Sequence, residues 1–239
     1  MFGSKFFVTL MSFLLIFPVF SEDIEEIVVT ALKRSSTVVD TPASITAIGA
    51  NEIEDKGITD MNDLKHLIPS MNFTSVLGAQ NITIRGIGQF NGNPGVSVST
   101  DGVFQSRSHS SQLGEMDLER IEVLRGPQGT LYGRNSIGGV VNLITKNPSQ
   151  DRDGYIKFGH SNYNTTKVET AFGGGISENT TYRLVVSSTN QGEGYYDCLN
   201  VGCGEQGYTD KSAYRLKVNT ELNDNISADV MVASVSTDG

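Results

Sequence analysis

Apolar and polar residues alternate along the last third of the chain. Over residues 214–222, Tyr214, Leu216, Val218, Thr220 and Leu222 fall on one side of an extended chain, and Arg215, Lys217, Asn219 and Glu221 on the other. Tyr182, Leu184 and Val186 oppose Arg183 and Ser187 in the same way, and 155–158, 166–172 and 226–235 share the period. Successive side chains of a strand point to opposite faces, so the pattern predicts antiparallel strands with one apolar and one polar face. A soluble sandwich and a lipid-facing barrel with a wet lumen both satisfy it. Strands near ten residues long favour the barrel. The link at Ser177-Glu178-Asn179 is short and the stretch 192–210 is long, which predicts tight turns at one rim and a long loop at the other.

Between residues 42 and 148 the apolar positions come in shorter, mixed groups. Residues 42–48, 81–86 and 96–103 read as strands. Residues 51–68 place Ile53, Ile58, Met61, Leu64, Leu67 and Ile68 at largely helical spacing up to Pro69, which predicts a helix. Residues 118–148 hold two β-branched runs, Ile121-Glu122-Val123-Leu124 and Val140-Val141-Asn142-Leu143-Ile144-Thr145. Around them stand Gly126, Pro127, Gly129, Gly133, Gly138 and Gly139. Proline presets a turn and glycine reaches conformations other residues resist, so the block reads as a compact strand–loop–strand unit. Near the start, Ile27-Val28-Val29-Thr30-Ala31 is a further β-branched run and, read alone, an edge strand.

The chain has 239 residues, room for one or two domains. Its formal charge of −9 argues against a nucleic-acid partner, which needs a basic face. Glycine is abundant at 26 residues and tryptophan is absent, which suits short strands and turns better than a helical bundle. Lys5 precedes an apolar run over 6–20, the length of a signal-peptide core and short for a spanning helix. Val19 and Ser21 are suited to cleavage before Glu22; a membrane anchor is the other reading of the run. Cys198 and Cys203 share one glycine-rich segment. In an oxidising compartment they would close a small disulfide loop, with two free thiols as the alternative.

No enzyme constellation emerges. Gly86-Ile87-Gly88 has Asn91 where a dinucleotide loop needs its third glycine, and the stretch 133–139 lacks the lysine of a P-loop. His66, His109 and His160 are isolated along the chain, so neither a metal site nor a cofactor is expected. Arg85 and Arg125 each follow a short strand and precede a glycine, which predicts partly enclosed guanidiniums in need of carboxylate or carbonyl partners. Glu119 and Glu122 are at hand for a local pair.

The block LERIEVLRGPQGTLYGRNSIGGVVNLITKNP at 118–148 closely resembles the end of the plug domain of TonB-dependent outer-membrane receptors. Ile68-Pro69-Ser70, Ile84-Arg85-Gly86 and Val98-Ser99-Thr100-Asp101-Gly102-Val103 follow the family's order upstream, and the run from Ile27 to Ala31 is similar to a TonB box. The resemblance covers 27–148. It implies an α+β plug, a mixed short sheet with small helices, followed by the first strands of an antiparallel transmembrane β-barrel. The divisions are a signal peptide at 1–21, a periplasmic segment with the TonB box at 22–37, the plug at 38–148 and about five barrel strands at 149–239. Such barrels have about 22 strands, and an open sheet cannot sit in lipid with its edge unpaired. The chain therefore reads as a partial receptor.

The resemblance further implies TonB-dependent import of a scarce nutrient across the outer membrane. An iron–siderophore complex is the default substrate, with cobalamin, haem or a glycan as alternatives, and a non-transporting fragment remains a rival. A sigma-factor-signalling receptor would need an extra domain before the box, and a soluble enzyme is the remaining class. The implied partners are TonB, the extracellular chelate and outer-membrane lipid, with the complete barrel a monomer. Ile27, Val28, Val29, Thr30 and Ala31 are assigned to TonB binding. Arg85 and Arg125, with Glu122, are assigned to a lock between plug and barrel. Gln89, Phe90, Asn91, Phe104, Arg107 and His109 fall in outward loops that touch substrate.

Overall fold

The computed structural model describes residues 28–33, 36–58, 61–76, 79–89, 93–105, 116–195, 207–208, 210–223 and 225–238. Two five-stranded sheets organise them, each beside a covering layer. The first sheet has the order β3 (Ile45–Gly49), β8 (Leu118–Arg125), β9 (Gly139–Thr145), β6 (Val96–Thr100), β7 (Val103–Phe104). Its pairings are antiparallel except for β6 with β9. Two hairpins flank it: β1 (Val28–Val29) with β2 (Ser36–Thr37), and β4 (Met71–Val76) with β5 (Ala79–Ile84).

The faces of the first sheet are covered by different segments. Ile48, Val96, Val98, Ile121, Val123, Val141 and Leu143 pack on one side with Ile53, Met61, Leu64, Ile68, Met71, Phe73 and Ile84. On the other side Ile45, Leu124 and Val140 receive Val29 and Ala31. Alternation along β8 accounts for this: Ile121 and Val123 point one way, Glu122 and Leu124 the other.

The helix predicted over 51–68 divides. An α-helix runs Ala50–Asp55, and a 3-10 helix runs Met61–His66. Gly57, at φ +62°, ends the first. Its N–H reaches Glu54 O at 3.0 Å and the N–H of Ile58 reaches Ile53 O at 2.9 Å, the paired bonds of a Schellman stop. Ile53 and Ile58 share one core, so the helical spacing had recorded burial on both sides of a break.

The second sheet is an antiparallel meander of β10 (Asp153–Ser161), β11 (Thr165–Ser177), β12 (Thr180–Gln191), β13 (Asp210–Asn223) and β14 (Ile226–Asp238). Its faces are reversed relative to a soluble sheet. Arg183, Lys217 and Arg215 are buried, whereas Ile156 is 77% and Phe158 73% exposed and Val230 and Val232 are about half exposed. The polar face is covered by the first sheet's connections, and among the described residues nothing covers the apolar face.

Candidate functional site

Two groups of polar contacts tie the pieces together. The first lies under the N-terminal run. Glu122 is fully buried, and its Oε1 accepts the Thr30 backbone N–H at 2.8 Å and Arg120 Nε at 2.8 Å; Oε2 accepts Asn142 Nδ2 at 3.2 Å. Arg120 Nη2 donates to Thr30 Oγ1 at 3.1 Å. Ser99 Oγ donates to Asn142 Oδ1 at 2.7 Å. Tyr132 donates its hydroxyl to Ala31 O at 2.7 Å, and Lys33 Nζ stands 4.7 Å from the centre of its ring. Burial, helped by the charge of Glu122, pushes the Tyr132 hydroxyl up to about 12, so it remains a donor at any ordinary pH.

The second group joins the two sheets. Arg183 on β12 meets both oxygens of Asp117 at 2.5 and 2.8 Å and both of Asp153 at 2.8 and 2.9 Å. Arg215 on β13 donates to Met116 O at 2.7 Å and lies 3.8 Å from Asp117. Tyr155 donates to Glu169 at 2.6 Å, and Glu169 accepts the Asp117 N–H at 3.3 Å. Lys217 Nζ sits 2.9 Å from Asp101, which also accepts the N–H and hydroxyl of Thr145. Asp101 and Asp117 hold left-handed backbone at φ +48° and +49°, a conformation that aspartate tolerates better than most residues. Met116 is buried in one cluster with Ala171, Val185 and Ala213.

Beside this interface lies a cavity of about 630 Å³, bounded by the Ala50–Asp55 helix, β10 and β11. Lys157 crosses its edge to pair with Glu54, and that contact holds the Glu54 carboxyl below the usual carboxylate range.

A sheet that hides its cations against a second domain and bares its apolar side is the arrangement a membrane barrel takes around an internal domain. Residues 37–140 match the family model of the TonB-dependent receptor plug domain. This chain carries a plug domain of the TonB-dependent receptor family. The first sheet belongs to the plug, and β10–β14 resemble the opening strands of the family's barrel.

The chain is 31% identical over 188 residues to the pesticin receptor of Yersinia pestis, covering 77% of this chain and 28% of that protein. The crystal structure of the ferric yersiniabactin uptake receptor from Yersinia pestis superposes with a TM-score of 0.69 at 28% identity, over 82% of this chain and 32% of that one. The ferripyoverdine receptor of Pseudomonas aeruginosa bound to ferripyoverdine shares the fold, with a TM-score of 0.72 at 21% identity, over 90% and 28% of the two chains. The chain thus spans under a third of the length of these relatives.

The structure distributes the expected site residues unevenly. Ile27 lies outside the described residues. Val28 is 51% exposed, while Val29 and Ala31 are buried in the plug and Thr30 is bonded to Glu122. The run is therefore docked on the plug, with Val28–Val29 forming a short strand. Glu122 faces this run and pairs with Arg120 instead of reaching the barrel-type strands. Arg85 was expected to be partly enclosed; it is exposed in a left-handed turn at φ +52°, and Nη2 reaches Ser44 Oγ at 3.4 Å. Arg125 is half-buried, and its Nε has no hydrogen-bond partner among the described residues.

Among the loop positions, Gln89 is exposed and its N–H donates to Asn81 Oδ1 at 2.9 Å. Phe104 is half-buried, with the Arg134 guanidinium 5.9 Å from its ring centre. Phe90, Asn91, Arg107, His109, Cys198 and Cys203 lie outside the described residues. The interface residues Asp101, Asp117, Arg183, Arg215 and Lys217 were not singled out as a site. The two-residue period placed the three cations on one face, but nothing local marks which carboxylates they meet.

Proposed function

We propose that the protein containing this chain imports an iron–siderophore complex across the bacterial outer membrane, energised through TonB. The observation that carries the reading is the docked run 28–31 on a plug whose other contacts anchor it to inward-facing cations of an apolar-faced sheet. The named relatives include receptors for ferric yersiniabactin and ferripyoverdine, which supports an iron chelate over cobalamin, haem or a glycan. No covalent step is assigned to the chain: it binds, gates and transmits force.

Residues 22–37 form the periplasmic segment on this reading, 38–148 the plug and 149–239 the first barrel strands. Ile27, Val28, Val29, Thr30 and Ala31 form the TonB-binding strand. An extended peptide bonds to a partner's sheet edge through its backbone and so bears a pull along its length. Arg85 and Arg125 serve the plug–barrel lock from exposed or incompletely paired positions. Gln89, Phe90, Asn91, Phe104, Arg107 and His109 belong to the chelate-facing loops, and Cys198 and Cys203 form a disulfide in an outward loop. The leader at 1–21 directs export.

The test is uptake of radiolabelled ferric siderophore by cells expressing the whole reading frame. Val28→Pro should abolish energised uptake and leave surface binding intact, because proline cannot donate to a partner strand. Unchanged uptake removes the TonB-binding assignment. Binding of cobalamin, haem or a glycan with no binding of any ferric chelate removes the substrate class.

A further inference from the structure

The contacts beneath Thr30 form a continuous rung across the plug sheet. Ser99 on β6, Asn142 on β9 and Glu122 on β8 are direct neighbours in register, and Phe104 on β7 pairs with Ser99 at the far edge. Ser99 donates to Asn142, Asn142 donates to Glu122, and Glu122 accepts from the Thr30 backbone. The amide of Asn142 is therefore oriented from one side so that its NH₂ faces the carboxylate on the other.

We propose that Glu122 is a releasable latch: a positioning residue that holds the run 28–31 on the plug through the Thr30 N–H, with Ser99 and Asn142 orienting its carboxylate. This rests on reading that run as the TonB-binding strand, since a latch has a purpose only if the run must leave.

The surroundings distinguish a latch from ordinary packing. Leu124, Val140 and Ile45 already offer Val29 and Ala31 an apolar seat. A buried ion pair beside them is weak as a source of net stability, because desolvation offsets its attraction. It does define one register: with Thr30 over Glu122, the backbone N–H of the run meets the carboxylate. It also lowers the cost of leaving. When the run lifts, Glu122 keeps Arg120 and Asn142 as partners and meets water with its free lone pairs, whereas an apolar floor would be bared.

The experiment uses the protein from the whole reading frame, in outer membranes, without TonB. Val29→Cys places a thiol at a fully buried position of the run, and its maleimide labelling rate reports lifting. Peptide mass spectrometry separates its signal from those of Cys198 and Cys203. Glu122→Gln should raise the rate roughly 10- to 100-fold, the effect of losing a hydrogen bond to a charged group. Thr30→Pro removes the N–H from the other partner, together with the hydroxyl that contacts Arg120 and Glu122, and should raise it similarly. The double variant should label no faster than the faster single one.

Unchanged rates in both single variants, or effects that multiply in the double one, overturn the latch. A Glu122→Gln protein that fails to fold leaves the Thr30→Pro rate to decide the question alone. The uptake assay keeps the two claims apart. If Val28→Pro blocks uptake but both Glu122→Gln and Thr30→Pro leave labelling unchanged, the TonB-binding strand survives and the latch falls. If labelling rises as expected and Val28→Pro imports normally, the contact holds the run but the run is not the TonB-binding strand.

Discussion

Arg183 lies against both carboxylate oxygens of Asp117, at 2.5 and 2.8 Å, with both side chains almost wholly removed from solvent. This pairing joins the plug to the third strand of the meander, and Arg215 approaches the same carboxylate from the fourth. Removing one partner of a buried pair strands the other. Asp117→Ala should therefore destabilise the attachment by about 3–5 kcal/mol, whereas Asp117→Leu combined with Arg183→Met should recover much of it. Limited proteolysis of the plug in native membranes measures this; an Asp117→Ala plug as resistant as the parent's would show that the pair does not anchor it.

Asp101 allows backbone strain to be separated from charge. Its φ of +48° is easy for glycine, so Asp101→Gly relieves the backbone while deleting the carboxylate that binds Lys217 and Thr145. We expect a net loss of plug–barrel stability in chemical denaturation, because three donors from two residues in the interface lose this acceptor. A gain would mean that conformational strain at this turn outweighs the contact.

Tyr132 supplies a pH signature. Docking favours its neutral form, so its folded value, about 12, lies above the usual 10.0. The associated stabilisation is complete below the unfolded value and is lost as pH rises through the folded one. In ultraviolet titration, the difference between the parent and Tyr132→Phe should therefore appear near pH 12. A difference centred near 10 would place the hydroxyl in solvent and undo its bond to Ala31.

Two glycines after β8 should respond in opposite ways to alanine. At Gly139 a Cβ would stand 2.3 Å from Leu124 O, with φ at +154°, so Gly139→Ala should cost about 1–3 kcal/mol through overpacking. At Gly129 a Cβ would meet nothing within 4 Å, at the start of a short helix, and alanine there should be neutral or slightly stabilising. Thermal unfolding of the two variants compares them directly; equal effects would refute the close approach at Gly139.

Much of the plug was legible along the chain. The runs at 121–124 and 140–145 form β8 and β9, and the glycines between them form the turn that brings the two strands together. The helical spacing over 51–68 breaks at Gly57 into two short helices, because residues on either side of a break can share one core and imitate a single helical face. The Glu122–Thr30 contact spans 92 positions, and no short-range pattern could have disclosed it.

By itself the sequence determined which residues share a face of each strand, since that follows from a period of two. It also carried the plug motif, whose glycines and β-branched runs act locally. Tertiary structure decided which face meets protein and which is left bare. It also chose the carboxylate for each cation and whether the N-terminal run lies free or docked. Those outcomes depend on where distant segments are brought together, and a buried charge is stable only where a distant partner arrives to satisfy it.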